Sequence, residues 1–126
     1  MKSILDIGQC DHDHGLLTKL ATKANANITR AYTAADAFEK LSSQPFDLVW
    51  VNRMLDSDNS YGIEIIKDIK NDPKLGSTPV MLVSNFPEAQ ADAQKVGALA
   101  GFGKDGLSAP DTLAKVVAAL TGNSHK

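Results

Sequence analysis

Phe46–Asn52, FDLVWVN, constrains the fold more than any other stretch. Phe46, Leu48, Val49, Trp50 and Val51 make an almost unbroken apolar run, rich in β-branched and aromatic side chains. A run so short, with no polar alternation, fits a strand covered on both faces, as in a parallel sheet with helices on either side. Pro45 precedes it, a natural stop for a helix. Asn52 closes it, where the chain enters the loop Arg53–Tyr61. In open α/β sheets, ligands and chemistry collect beyond the carboxyl ends of the strands, so Asn52 is the first place to look for function. A neutral amide stands there.

At 126 residues the chain is expected to form one domain, 1–126, able to bury a core without disulfides. A net charge of −2 leaves no basic footprint, which argues against nucleic-acid binding. The one cysteine, Cys10, excludes an internal disulfide and fits a reducing cytosol, so a cytoplasmic location is expected. No apolar stretch approaches the roughly 18 residues of a membrane span, and Met1–Ser3 runs into a strand without a signal-like segment. No membrane association follows from such a sequence.

Strand and helix alternate five times along the chain. Ser3–Ile7 is expected as the first strand, with Asp6 an odd polar residue inside it. After the polar loop Gly8–Asp13, Leu16, Leu17, Leu20, Ala21 and Ala24 fall on one helical face. Ile28–Tyr32 is the second strand, and Ala34, Ala37, Phe38 and Leu41 repeat at helical spacing behind Thr33 as N-cap. The third strand leads through its loop to a helix carrying Ile63, Ile66 and Ile69, which stops before Pro73. Pro79–Ser84 is the fourth strand, Pro87–Val96 a weak helix, and Ala98–Phe102 a short fifth strand. Leu113, Val116, Val117 and Leu120 stripe the last helix, with Ser108 or Asp111 as its cap and Gly122 as its stop.

Five βα units favour an α/β three-layer sandwich with right-handed crossovers, and the flavodoxin-like strand order 2-1-3-4-5 is the natural candidate. Loops after strands one, three, four and five then converge on one end. They bring together Gly8, Gln9 and Cys10; Asn52, Arg53 and Met54; Ser84 and Asn85; and Gly103, Lys104 and Asp105.

In the segments FDLVWVNRML, PVMLVSN and GALAGFGKDG, in this order and spacing, the chain resembles response-regulator receiver domains over essentially its whole length. The resemblance implies a module of two-component, phosphorelay-type signalling. Such receivers accept a phosphoryl group from a histidine kinase on an aspartate ending the third strand, where this chain has Asn52. Two acidic residues ending the family's first strand help hold Mg²⁺; Gly8 and Gln9 stand at those positions. The phosphoryl-sensing hydroxyl after the fourth strand is matched by Ser84, and the phosphoryl-contacting lysine after the fifth by Lys104. Asp105 replaces the family proline after that lysine. Gly101 replaces the switch aromatic, with Phe102 one place away, and the long third loop is set by matching Gly62 to a family glycine.

An acyl phosphate forms when a carboxylate oxygen attacks phosphorus, and the neutral amide of Asn52 cannot form one. Mg²⁺ takes hard, mostly anionic oxygen ligands, and phosphoryl transfer relies on it to neutralise charge. All three expected carboxylates are absent, and Lys104 adds a positive charge that opposes a cation. The pattern resembles a pseudo-receiver. Two alternatives stand beside it. In one, Asp6 or Asp56 takes the phosphoryl group. In the other, the domain binds a small ligand or metal, with Cys10, His12 and His14 as the metal candidates. Their spacing matches no established zinc pattern, and GQCDHDHG lacks the hydroxyls a flavin phosphate site needs.

The expectation is therefore a receiver-like module without enzymatic activity or cofactor, which binds a signalling protein such as a histidine kinase independently of phosphorylation. The binding surface, and a homodimer contact, would lie on the fourth helix, fifth strand and fifth helix, with Gly101, Phe102 and Asp105 as switch or surface residues and the local glycines making that edge permissive. The Lys104–Asp105 bond is expected to be trans, because a cis bond before a non-proline residue costs about 2.5–4 kcal/mol. Lys104 would then turn outward to pair with Asp56 or Asp58.

Overall fold

The alternation of apolar runs and amphipathic helices builds one five-stranded parallel sheet in the order β2-β1-β3-β4-β5. The computed structural model describes residues 1–122; positions 123–126 of the expected 1–126 domain lie outside the described residues. The elements are β1 (Lys2–Ile7), α1 (Asp11–Lys23), β2 (Ala26–Ala31), α2 (Ala34–Ser43), β3 (Leu48–Asn52), α3 (Gly62–Asn71), β4 (Val80–Val83), α4 (Pro87–Lys95), β5 (Leu99–Phe102) and α5 (Pro110–Thr121). No helix among them is long and apolar enough to cross a membrane.

β3 is the central strand, and Leu48, Val49, Trp50 and Val51 have no exposed surface. Alternate residues feed two cores. Val49 and Val51 pack beneath α2 and α3 with Ile65, Ile66 and Ile69. Leu48 and Trp50 pack beneath α1 and α5 with Leu17, Leu20, Val116 and Leu120. Each such side chain contributes about 1.5–3 kcal/mol relative to exposure, so this strand anchors both layers.

Helix ends follow local chemistry in part. Thr33 caps α2 by accepting a hydrogen bond from the Asp36 N–H, as expected. Asn25, at φ 60, turns the chain out of α1. Gly122 ends α5 at φ 79, a left-handed conformation that suits glycine. The start of α5 differs from expectation: Ala109 is its N-cap and Pro110 begins the helix, with no side-chain cap from Ser108 or Asp111. Two stripes are also displaced. Ile65 joins the α3 core while Ile63 is only half-buried, and Val117 of α5 is exposed while Thr112 and Ala119 face inward.

Candidate functional site

Asn52, Leu48 and Trp50 share the α1/α5 side of the sheet, so the Asn52 amide rises toward the gap between β1 and the loop after β5. Its Nδ2 donates to the Gly8 carbonyl at 3.0 Å. Its Oδ1 accepts from the Lys104 ammonium at 3.3 Å. Lys104 also donates to Asp13 Oδ2 at 2.7 Å. Both charged side chains of that pair are about three-quarters shielded from solvent. Partial burial pushes the Asp13 carboxyl up, but the hydrogen bond and charge of Lys104 outweigh it and hold the group below its ordinary value.

The expected outward turn of Lys104 is therefore corrected. The Lys104–Asp105 bond is trans, since the described residues contain no cis peptide, and Lys104–Gly106 forms a single 3-10 turn. The ammonium nevertheless points inward, because Asp13 in the first turn of α1 supplies the anion that Gly8 and Gln9 lack. Asp56 and Asp58 are not its partners. Asp58 accepts from the backbone and hydroxyl of Ser60, and Asp56 is exposed.

The cleft over Asn52 has a volume of about 260 Å³ and is rimmed by Arg53, Ser84, Asn85, Phe86 and Lys104. Ser84 is buried, and its Oγ accepts from the Phe86 N–H at 3.1 Å, so the hydroxyl caps the turn into α4. Asn85 Oδ1 accepts from the Asp105 N–H at 3.1 Å and ties the two neighbouring loops together. The Arg53 guanidinium lies 4.9 Å above the exposed Phe86 ring at the rim.

Gly8 and Gln9 do not line this cleft. Gly8, at φ 81, leaves no room for a side chain against Leu55, and its carbonyl also accepts from the Asp56 N–H. Gln9 is buried, with both amide atoms unpartnered among the described residues. The proposed metal candidates diverge as well. Cys10 caps α1 by accepting from the Asp13 N–H, His12 is exposed, and His14 Nδ1 lies 2.7 Å from Asp6 Oδ2. Among the described residues, no group of three or more His, Cys, Asp or Glu side chains could hold a metal ion.

Asp6 itself has no exposed surface and sits under α1, away from the cleft. Burial raises its pKa, and the hydrogen bond and charge of His14 offset that only in part. Gly101 and Phe102 are buried, which corrects their reading as surface residues; Phe102 packs edge-on against Trp50 at a centroid distance of 5.5 Å. Asp105 alone of those three is exposed. Nor does the glycine-rich edge rest on empty space: a Cβ at Gly101 or Gly103 would overlap Leu82 or Asn85.

Asp13, the residue that completes the site, escaped the sequence reading because an acid in a first helical turn has a sufficient explanation in the helix dipole. The available signal was topological. The first turn of α1 and the segment after β5 lie on the same side of the sheet, at its carboxyl end, and carry opposite charges.

Neither a protein-family model nor a curated protein matches the sequence. Solved structures do match. The signal receiver domain of a DNA-binding response regulator protein from Colwellia psychrerythraea 34H is 25% identical, with TM-score 0.78 over 97% of this chain and 99% of that one. A two-component response regulator from Clostridium difficile matches over 100% of both chains, at 20% identity and TM-score 0.74. A chemotaxis response regulator of Vibrio cholerae matches over 95% of this chain and 98% of its own, at 18% identity and TM-score 0.72. The chain thus has the α/β flavodoxin-like fold of receiver domains, in the strand order the sequence predicts.

Proposed function

We propose that this chain is a receiver-like signal-transduction module that binds a protein partner without being phosphorylated. One observation carries the reading: Asn52 is held between the Gly8 carbonyl and Lys104, whose charge Asp13 already neutralises. The amide offers no nucleophilic oxygen, and its oxygen and one of its two N–H groups are already hydrogen-bonded. The residues present do not fit the Mg²⁺ of the receiver fold. Two carboxylates are missing from the end of β1, and an ammonium sits against the one remaining oxygen ligand. Neither stand-in acid improves the case, since Asp6 is buried under α1 and Asp56 does not line the cleft.

The partner is a signalling protein of the two-component type, a histidine kinase or another regulator, met in the cytoplasm on the α4–β5–α5 face. The module has no catalytic role and needs no cofactor. The test is capture on immobilised chain from extracts of the source cells, with and without acetyl phosphate and Mg²⁺. A variant with Ala100→Glu and Ala114→Glu, two exposed positions of that face, serves as the control. Equal recovery of one such signalling protein in both conditions, lost with the variant, is expected. Recovery that requires the phosphodonor, or that survives the variant, would overturn the reading.

A further inference from the structure

β5 carries one residue more than β4 can pair. Met81 pairs with Leu99 and Val83 with Phe102, so Ala100 and Gly101 together stand opposite Leu82. An extra residue in one strand leaves ladder groups unpaired. The Gln90 side chain, reaching in from α4, takes their place. Its Oε1 accepts from the Gly101 N–H at 3.0 Å. Its Nε2 donates to the Leu82 carbonyl at 2.8 Å and the Ser84 carbonyl at 3.1 Å, with the Phe102 carbonyl at 3.4 Å. A primary amide has two donor hydrogens and one acceptor oxygen, so the side chain is fully used.

The space is shaped to this amide. A Cβ on Gly101 would overlap the Leu82 carbonyl and approach Gln90 Oε1 to 2.8 Å. From the other flank, the Lys115 ammonium of α5 donates to the Gly101 carbonyl at 2.8 Å. Gly101 is therefore held by α4 through its N–H and by α5 through its carbonyl.

We infer that Gln90 is a positioning residue that fixes α4 on β4 and β5, its amide replacing the ladder bonds that the β5 bulge removes, while Lys115 ties α5 to the same glycine. The inference rests on the reading of the α4–β5–α5 face as the binding surface. It supplies a way for the face to be competent without a phosphoryl signal: the turn holding Ser84 and the strand holding Gly101 are tied by the same side chain and cannot shift separately.

The test is residue-resolved amide exchange by NMR on the isolated chain. Gln90→Met keeps the length and apolar stem of the side chain but removes the amide. Gly101 exchange should accelerate about tenfold or more, as expected for loss of a local hydrogen bond, while Val51 in β3 keeps its protection. Gln90→Glu gives a second readout. Its protonated carboxyl can both accept from Gly101 and donate to Leu82, whereas the ionised form faces the carbonyls with no hydrogen to give. Gly101 protection, corrected for intrinsic exchange, should be near wild type in acid and fall as that carboxyl ionises. Unchanged Gly101 exchange in Gln90→Met, or pH-independent protection in Gln90→Glu, would overturn the inference. If Gln90→Met loses protection at Val51 as well, the Gln90→Glu titration decides alone. These outcomes do not depend on partner capture, so failure of either one is distinguishable from failure of the other.

Discussion

Asp13 and His14 are neighbours on the first turn of α1, yet each reaches a different part of the molecule. Asp13 neutralises Lys104 at the cleft, and His14 meets the carboxylate of Asp6 under the helix. Asp6 has no exposed surface, which makes its charge expensive to bury. Because its folded pKa is raised above 3.8, the native state holds the Asp6 proton more tightly than the unfolded chain does. That contribution to stability is complete below the unfolded value and drains away as pH rises through the folded one, at no more than about 1.4 kcal/mol per pH unit. Urea melts across this range should show stability falling relative to Asp6→Asn, which lacks the titration and should be the more stable protein at neutral pH. A difference between the two proteins that does not change with pH would refute this account of Asp6.

At the scale of elements, the contact between α3 and the end of β3 sets where Asn52 can stand. The Gly62 N–H donates to the Arg53 carbonyl at 2.8 Å, and a Cβ on Gly62 would overlap the Asn52 carbonyl and a Val51 methyl. Gly62→Ala should destabilise by about 1–3 kcal/mol, the range for forcing atoms into a packed site, and thermal melts would read it. Wild-type stability in that variant would mean that the helix start is looser than described. Gly62 was legible in the sequence, and so were the five strands and their order. Apolar runs such as PVMLVS and FDLVWVN are governed by burial, which sequence displays directly. Side-chain partners across the cleft were less legible. The inward turn of Lys104 depends on Asp13, ninety-one positions away in the chain. The burial of Phe102 depends on Trp50. The loop Arg53–Tyr61 folds back through an antiparallel bridge between Met54 and Tyr61 and sends Leu55 into the core against Gly8. Such pairings need three-dimensional proximity, which periodicity does not encode.

Across the whole molecule, the receiver fold is intact, and Lys104 links Asn52 to Asp13 at the carboxyl end of its sheet. Sheet order and both helical layers are those of receiver domains. At that end, the Lys104 ammonium bridges the Asn52 amide oxygen and the Asp13 carboxylate, and the Asn52 N–H donates to the Gly8 carbonyl. Restoring a nucleophile alone should not restore function, because Asn52→Asp would still face Lys104 and would still lack acidic partners at Gly8 and Gln9. The most direct measurement is the intact mass of the wild-type chain and of Asn52→Asp after incubation with acetyl phosphate and Mg²⁺, read before and after hydroxylamine. Both proteins should keep their unmodified mass. A hydroxylamine-labile gain of one phosphoryl group on the wild-type chain would contradict the proposed function.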